Sequence, residues 1–306
     1  MEVLIKRRNT GVTFDPDSRV AEARVWAPGK LSVKIEIPEK ELIIPLNPRE
    51  KGYWTFQSEK IAPGDHYHYI LNDENRWPDP ASVSQPDGVH GLSEAVDLSR
   101  YRWHDTSWKN HAMADYIIYE LHSGTFTHEG TLMAIIDKLP YLESLGITAI
   151  EIMPVAQFPG SRNWGYDGVF PFAVQNSYGG YKALQQLTDT CHQKGMAVIL
   201  DVVYNHLGPE GNILGMYGPY FTDKYKTPWG KAINYDDSGC DGVRDFYIEN
   251  ALMWLRDFHV DALRLDAVHA IIDLGAKHFL AELSDMVSEL EKFTGKNYYL
   301  IAECDL

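Results

Sequence analysis

Two carboxylates close two apolar runs late in this chain: Asp266 ends residues 260–266 and Glu303 ends residues 298–303. Strand alternation places Arg264 and Asp266 on one face of the first run, and Ile301 and Glu303 on one face of the second. A charged residue at the C-terminal end of an apolar parallel strand is where β/α folds put their chemistry. Carboxylates on neighbouring strand ends stand about 5 Å apart, close enough for one to attack a sugar carbon while the other protonates the departing oxygen. For either residue alone, an ion pair or a strand-end cap is an equally good reading. Asp201 lies in a third run, residues 196–203, and points with Val203 and Asn205 by parity. His206 follows just beyond that run, where a side chain either packs a loop or reaches a ligand.

The elements that must position these residues change character along the chain. Residues 1 to about 105 read as a β-sandwich, with short alternating runs at 23–26, 32–37, 52–56 and 66–71 between Pro, Gly and Asn-Asp turns. The Pro-rich stretch 77–82 is expected to cross the surface, and a turn at 86–88 with a Trp-bearing segment to Lys109 to serve as connector. From about residue 115 strands alternate with helices. The reading is strand 116–121, helix 131–145, strand 147–153, helix 180–194 and strand 196–203. After a long aromatic insert at 204–240 come helix 241–258, the strand bearing Asp266, helix 273–293 and the strand bearing Glu303. Near-continuous apolar strands alternating with helices predict a parallel sheet covered on both faces.

Bulk properties narrow the partners. With 43 acidic against 28 basic residues the net charge is −15, which argues against a nucleic-acid backbone or an anionic membrane. The 18 Tyr and 8 Trp suit a sugar cleft or a core equally well. Cys191, Cys240 and Cys304 are scattered, giving neither a disulfide framework nor a zinc site. The start MEVLIKRRNT has no apolar stretch and no run approaches the roughly 20 residues of a membrane span, so no signal peptide and a cytoplasmic protein are expected.

The segments Asp201-Val202-Val203-Tyr204-Asn205-His206, Arg264-Leu265-Asp266 and Ala302-Glu303, in this order, resemble the first three conserved regions of the alpha-amylase family of glycoside hydrolases. Residues 163–168 (NWGYDG), 206–212 (HLGPEGN), 220–230 (YFTDKYKTPWG), 119–122 (YELH) with 124–126 (GTF), and 264–269 (RLDAVH) are similar to its maltooligosyltrehalose trehalohydrolases. So are Trp-Ala-Pro at 26–28 and the Pro-Asp-Pro-Ala-Ser segment. The resemblance implies an α/β chain: an N-terminal immunoglobulin-like, carbohydrate-binding-module-like β-sandwich over 1–105, then strands one to five of an incomplete (β/α)8 TIM barrel over 106–306. It also implies release of trehalose from maltooligosyltrehalose, with Asp266 as nucleophile and Glu303 as general acid/base. Arg264 would orient Asp266, Asp201 would brace Arg264, and His206 would bond sugar hydroxyls. Tyr166 would stack beneath the ring and His269 would face the leaving group. Trp164 and Trp229 are as well suited to packing as to sugar contact.

The family carries a further aspartate on strand seven, which has no counterpart here, so the expectation is a front portion whose partner is a missing C-terminal half. Rival readings are a branching or debranching enzyme of the same clan, told apart by its product, and an inactive glucan-binding fragment. No cofactor and no metal are expected. Asp201 and Asn205 invite a calcium reading, but a hard cation wants six or more oxygens and the insert is short.

Overall fold

The computed structural model describes residues 3–305, so the first two residues of the N-terminal run lie outside it. Strands β1 (Gly11–Phe14), β2 (Ala21–Trp26), β3 (Val33–Ile37), β4 (Leu42–Pro45), β5 (Asn47–Pro48), β6 (Tyr53–Ser58), β7 (His66–Leu71), β8 (Asn75–Trp77) and β9 (Ser93–Glu94) come first. They form two antiparallel sheets, in the orders β1-β2-β6-β5 and β4-β3-β7-β8, with β9 pairing onto the start of β7. Alternation explains the packing. Ala21, Ala23 and Val25 of β2 and Val33, Ile35 and Ile37 of β3 are buried and join one core, while Glu22, Arg24, Lys34 and Glu36 lie outward.

The stretch after β8 corrects an expectation. Rather than crossing the surface, Asp79, Ala81 and Ser82 are buried. Prolines bring no N–H that must be satisfied inside. The polar groups that remain find partners: Ser93 Oγ accepts from Asp79 N at 2.9 Å, Asp79 accepts from Ala81 N at 2.8 Å, and Tyr67 donates to Asp79 at 2.7 Å. The connector is also packed rather than loose. Trp103 stacks on His259 at 3.7 Å and Trp108 on His192 at 4.6 Å.

The second part contains β10 (Ile118–Leu121), α1 (Leu132–Ile136), α2 (Leu139–Ser144), β11 (Ala149–Ile152), β12 (Ala156–Gln157), β13 (Phe170–Val174), α3 (Gly180–Gln193), β14 (Ala197–Val202), α4 (Leu214–Tyr217), β15 (Phe221–Thr227), β16 (Gly230–Ile233), α5 (Cys240–Asp257), β17 (Ala262–Leu265), α6 (Phe279–Thr294) and β18 (Tyr299–Ala302). Five of these strands form a parallel sheet in the order β10-β11-β14-β17-β18. β14 is buried along its whole length, as its apolar run up to Asp201 predicts, and each of its buried Val, Ile and Leu side chains contributes roughly 2 kcal/mol.

Two helices differ from expectation for identifiable reasons. The helix expected over 131–145 is two, because Pro140 inside a continuous helix would remove a hydrogen bond and clash with the preceding turn. It is accommodated in the first turn of α2 instead. The helix expected from 273 starts at Phe279. Asp273 instead pairs with Arg244 at 2.6 Å and accepts from Gly275 N and Phe279 N, which holds 274–278 as a loop. The insert 204–240 is not featureless. It carries α4 and the β15–β16 hairpin, and β12–β13 is a further small antiparallel pair unread in the sequence.

α5 binds the two parts together. Thirteen of its residues are buried, Asp245, Glu249 and Asn250 among them, so it is covered nearly all round. Gly242 lies directly under the Trp26 indole, where an added Cβ would stand 2.1 Å from the ring. Only a residue without a side chain lets the helix approach β2 this closely.

Candidate active site

Asp266 and Glu303 each sit one residue past a strand, yet each still takes part in the parallel ladder: Asp266 N donates to Val202 O and Glu303 N to Leu265 O, both at 3.0 Å. Their backbones are therefore held as firmly as strand residues while their side chains project from the strand ends. Register brings the third carboxylate in, because Asp201 on β14 is the direct partner of Arg264 on β17.

Arg264 is the hub. Its Nη1 donates to Asp201 at 3.0 and 3.1 Å and to Asp266 Oδ1 at 2.9 Å, and its Nη2 lies 3.7 Å from Glu303 Oε2. Burial alone would lower the guanidinium's pKa, but Asp201, Tyr166 and Asp266 outweigh it and hold it above its usual value. Burial pushes the Asp201 carboxyl up to about 7, opposed by Arg264 and by the Tyr166 hydroxyl, which donates to Asp201 Oδ2 at 2.9 Å. The other Asp266 oxygen accepts from Asn205 Nδ2 at 2.9 Å, so both Asp266 oxygens have a fixed donor.

The remaining sequence candidates fall into place unevenly. His206 is buried, and both ring nitrogens face protein oxygens: Nδ1 meets Asn205 Oδ1 at 2.5 Å and Nε2 meets the Tyr166 carbonyl at 3.0 Å. Burial lowers its pKa. A sugar hydroxyl would have to replace the Tyr166 carbonyl at Nε2. Tyr166 is half-buried and tied through its hydroxyl to Asp201. Its loop is tight because Gly165, at φ +105°, packs against Pro154 O. His269 is exposed, and its Nδ1 accepts from Asp305 N at 3.4 Å. Trp164 stands 73% exposed beside this loop, whereas Trp229, at the tip of the β15–β16 hairpin, lies over His206 with ring centres 5.2 Å apart and planes at 20°.

Two features escaped the sequence. Ala267 adopts φ 42°, ψ 54°, a left-handed conformation costly for alanine, and donates its N–H to Glu303 Oε2 at 2.7 Å. Local strain is thereby spent on aiming a backbone donor at Glu303. An alanine gives no sign of this. Asn205 as a holder of Asp266 was within reach of parity, since it points with Asp201.

This chain is similar to known proteins along most of its length. The family model of the alpha-amylase catalytic domain matches residues 84–227. A malto-oligosyltrehalose trehalohydrolase from Saccharolobus solfataricus is 50% identical over 296 residues, 97% of this chain and 50% of that protein. One from Arthrobacter ramosus is 45% identical over 284 residues, 92% of this chain and 49% of that protein. The 1.4 Å crystal structure of a Salmonella typhimurium protein, provisionally assigned as an alpha amylase, superposes with a TM-score of 0.90 at 39% identity, covering 97% of this chain and 50% of that one. The chain therefore spans about half the length of the curated relatives it matches. With the strand-end carboxylates, their shared arginine and these relatives in agreement, the chain belongs to the alpha-amylase family of glycoside hydrolases.

Proposed function

We propose that this chain carries the nucleophile and the general acid/base of an enzyme that hydrolyses, with retention, the α-1,4 bond next to the terminal trehalose unit of maltooligosyltrehalose, releasing trehalose. The observation that carries this reading is the single Arg264 guanidinium that touches both Asp266 and Glu303. Asp266 attacks the anomeric carbon as Glu303 gives its proton to the departing oxygen, which leaves as trehalose. Water then displaces Asp266 from the sugar ester, handing a proton back to Glu303. With Oε2 accepting from Ala267, Oε1 is the oxygen placed to carry that proton. Asp201, through Arg264, and Asn205 hold the nucleophile. Tyr166 covers the ring, His206 and Trp229 border it, and His269 faces the leaving group. The choice of a maltooligosyltrehalose substrate is supported by relatives at 45–50% identity that bear that name.

The same reading takes residues 1–105 as an immunoglobulin-like sandwich and 106–306 as the first five strands of a (β/α)8 barrel. The two antiparallel sheets and the five-stranded parallel sheet support it. Glu303→Gln, in the full protein, is expected to lower turnover of maltooligosyltrehalose by about 10²- to 10⁴-fold. Glycosylation by a substrate with a good leaving group, such as an α-maltosyl fluoride, should be largely spared. Turnover of the natural substrate within a few-fold of the parent would remove Glu303 from the acid role. Altered branching without free trehalose would move the reading to a transferase.

A further inference from the structure

A second pocket, of about 300 Å³, opens where the N-terminal sheets, the connector and α3 meet, and none of its lining residues belongs to the cleft described above. Its size is at the lower end of small-molecule sites, which favour such junctions. Glu94, Asp97, Arg100, Tyr101, Tyr181 and Lys182 line it.

The walls are fixed in advance. Gly64 N donates to Ala95 O at 2.8 Å, Gln185 Nε2 to Leu98 O at 3.3 Å, and Tyr101 donates to Asp189 at 3.2 Å. Asp97 accepts from Ser99 N and Oγ, and it pairs with Arg19 at 2.9 Å and Arg100 at 3.4 Å. Glu94 accepts from Ser84 Oγ at 2.6 Å. An anion entering here meets two carboxylates, and a cation meets Arg100 and Lys182. A neutral polyol satisfies both signs at once, since its hydroxyls donate to carboxylates and accept from cations. The two half-buried tyrosine rings add flat apolar faces of the kind that cover the C–H side of a pyranose.

We propose that this pocket is a second saccharide site, holding one or two glucose units of an α-glucan outside the cleft. The choice of glucan over other neutral saccharides rests on the proposed function, and the effect would be to keep a long substrate near the cleft by raising its local concentration.

Calorimetric titration with maltotriose tests it on the parent, Tyr181→Ala, Lys182→Ala and His206→Ala, with thermal melts confirming that each is folded. Two sites are expected in the parent. One should weaken at least ten-fold in Tyr181→Ala, less in Lys182→Ala, and persist in His206→Ala. An unchanged isotherm in both pocket variants overturns the proposal, as does loss of all binding in His206→Ala, or Tyr181-dependent binding of inorganic phosphate in place of the sugar. If Tyr181→Ala abolishes binding while His206→Ala changes nothing, the pocket stands and the cleft assignment is what fails.

Discussion

Arg264 faces Asp201, Asp266 and Glu303 together, so its fork geometry, and not merely its charge, sets where the two proposed catalytic carboxylates stand. Asp201 depends in turn on Tyr166, whose hydroxyl, with Arg264, opposes the upward push of burial on its carboxyl. Tyr166→Phe keeps the ring and deletes that hydrogen bond. A hydrogen bond to a charged group contributes about 1.5–3 kcal/mol, so kcat/KM at neutral pH should fall by roughly 10- to 100-fold. Because the lost bond had pulled the Asp201 pKa down, the acid limb of the pH–rate profile should move to higher pH. An unmoved limb would show that Asp201 is not sensed by the reaction. Tyr166→Ala, which also loses the ring, should cost more.

At the scale of elements, two junctions between the N-terminal sheets, the connector and the parallel sheet can be probed separately. Gly242→Ala forces a methyl group into the Trp26 ring across the α5–β2 contact. Overpacking of this kind costs about 1–3 kcal/mol, so the urea midpoint should fall with little change in slope. A midpoint equal to the parent's would mean that α5 can slide away from β2 at no cost. The other junction is a buried imidazole. His192 bonds Asp105 of the connector at 2.9 Å and Asp261, just before β17, at 2.8 Å. Burial works against its charge, but the two carboxylates outweigh it and raise its pKa. The stabilisation from a raised histidine is complete below about pH 6.5 and is lost as pH climbs through the folded value. Neighbouring His259 leans the other way, lowered chiefly by burial, and Lys296 lies 3.9 Å from Asp105, so the parent profile alone mixes these contributions. The stability gap between parent and His192→Gln isolates His192. It should shrink from pH 6 to pH 9 in urea titrations, and a constant gap would contradict the charged pairing.

For the molecule as a whole, the parallel sheet ends in two open edges, since among the described residues β10 and β18 each pair on one side only. Ile117 and Ile118 are 56% and 43% exposed beside the first edge, and Phe293, on the helix that leads into β18, is 51% exposed. Exposed edges with apolar neighbours favour association, while a net charge of −15 opposes it. Association of this chain should therefore grow with salt, which screens the repulsion without weakening the apolar contact. Light scattering at low and high ionic strength would detect it, and Ile118→Lys should reduce it. A chain that stays monomeric at high salt would show that these edges are not adhesive.

What the sequence determined by itself was whatever depends on short-range periodicity. The apolar run of β14, the strand–helix alternation after residue 115 and the placement of Asp266 and Glu303 at strand ends all follow from repeats of two and 3.6 residues. Pro140 was a legible break in the helix at 131–145 that apolar spacing obscured. What only tertiary structure decided are the contacts between segments distant in the chain. Whether Arg264 reaches Asp201 is a matter of register between β14 and β17. Whether it also reaches Glu303 depends on how β18 lies beside β17. Stagger between strands is set by packing over the whole sheet, and one step of slip would turn every one of these side chains to the opposite face. The burial of residues 79–82 and the left-handed turn at Ala267 belong to the same class. Each is unfavourable locally and persists because partners brought from elsewhere, Tyr67 and Ser93 for the first and Glu303 for the second, satisfy the groups left over.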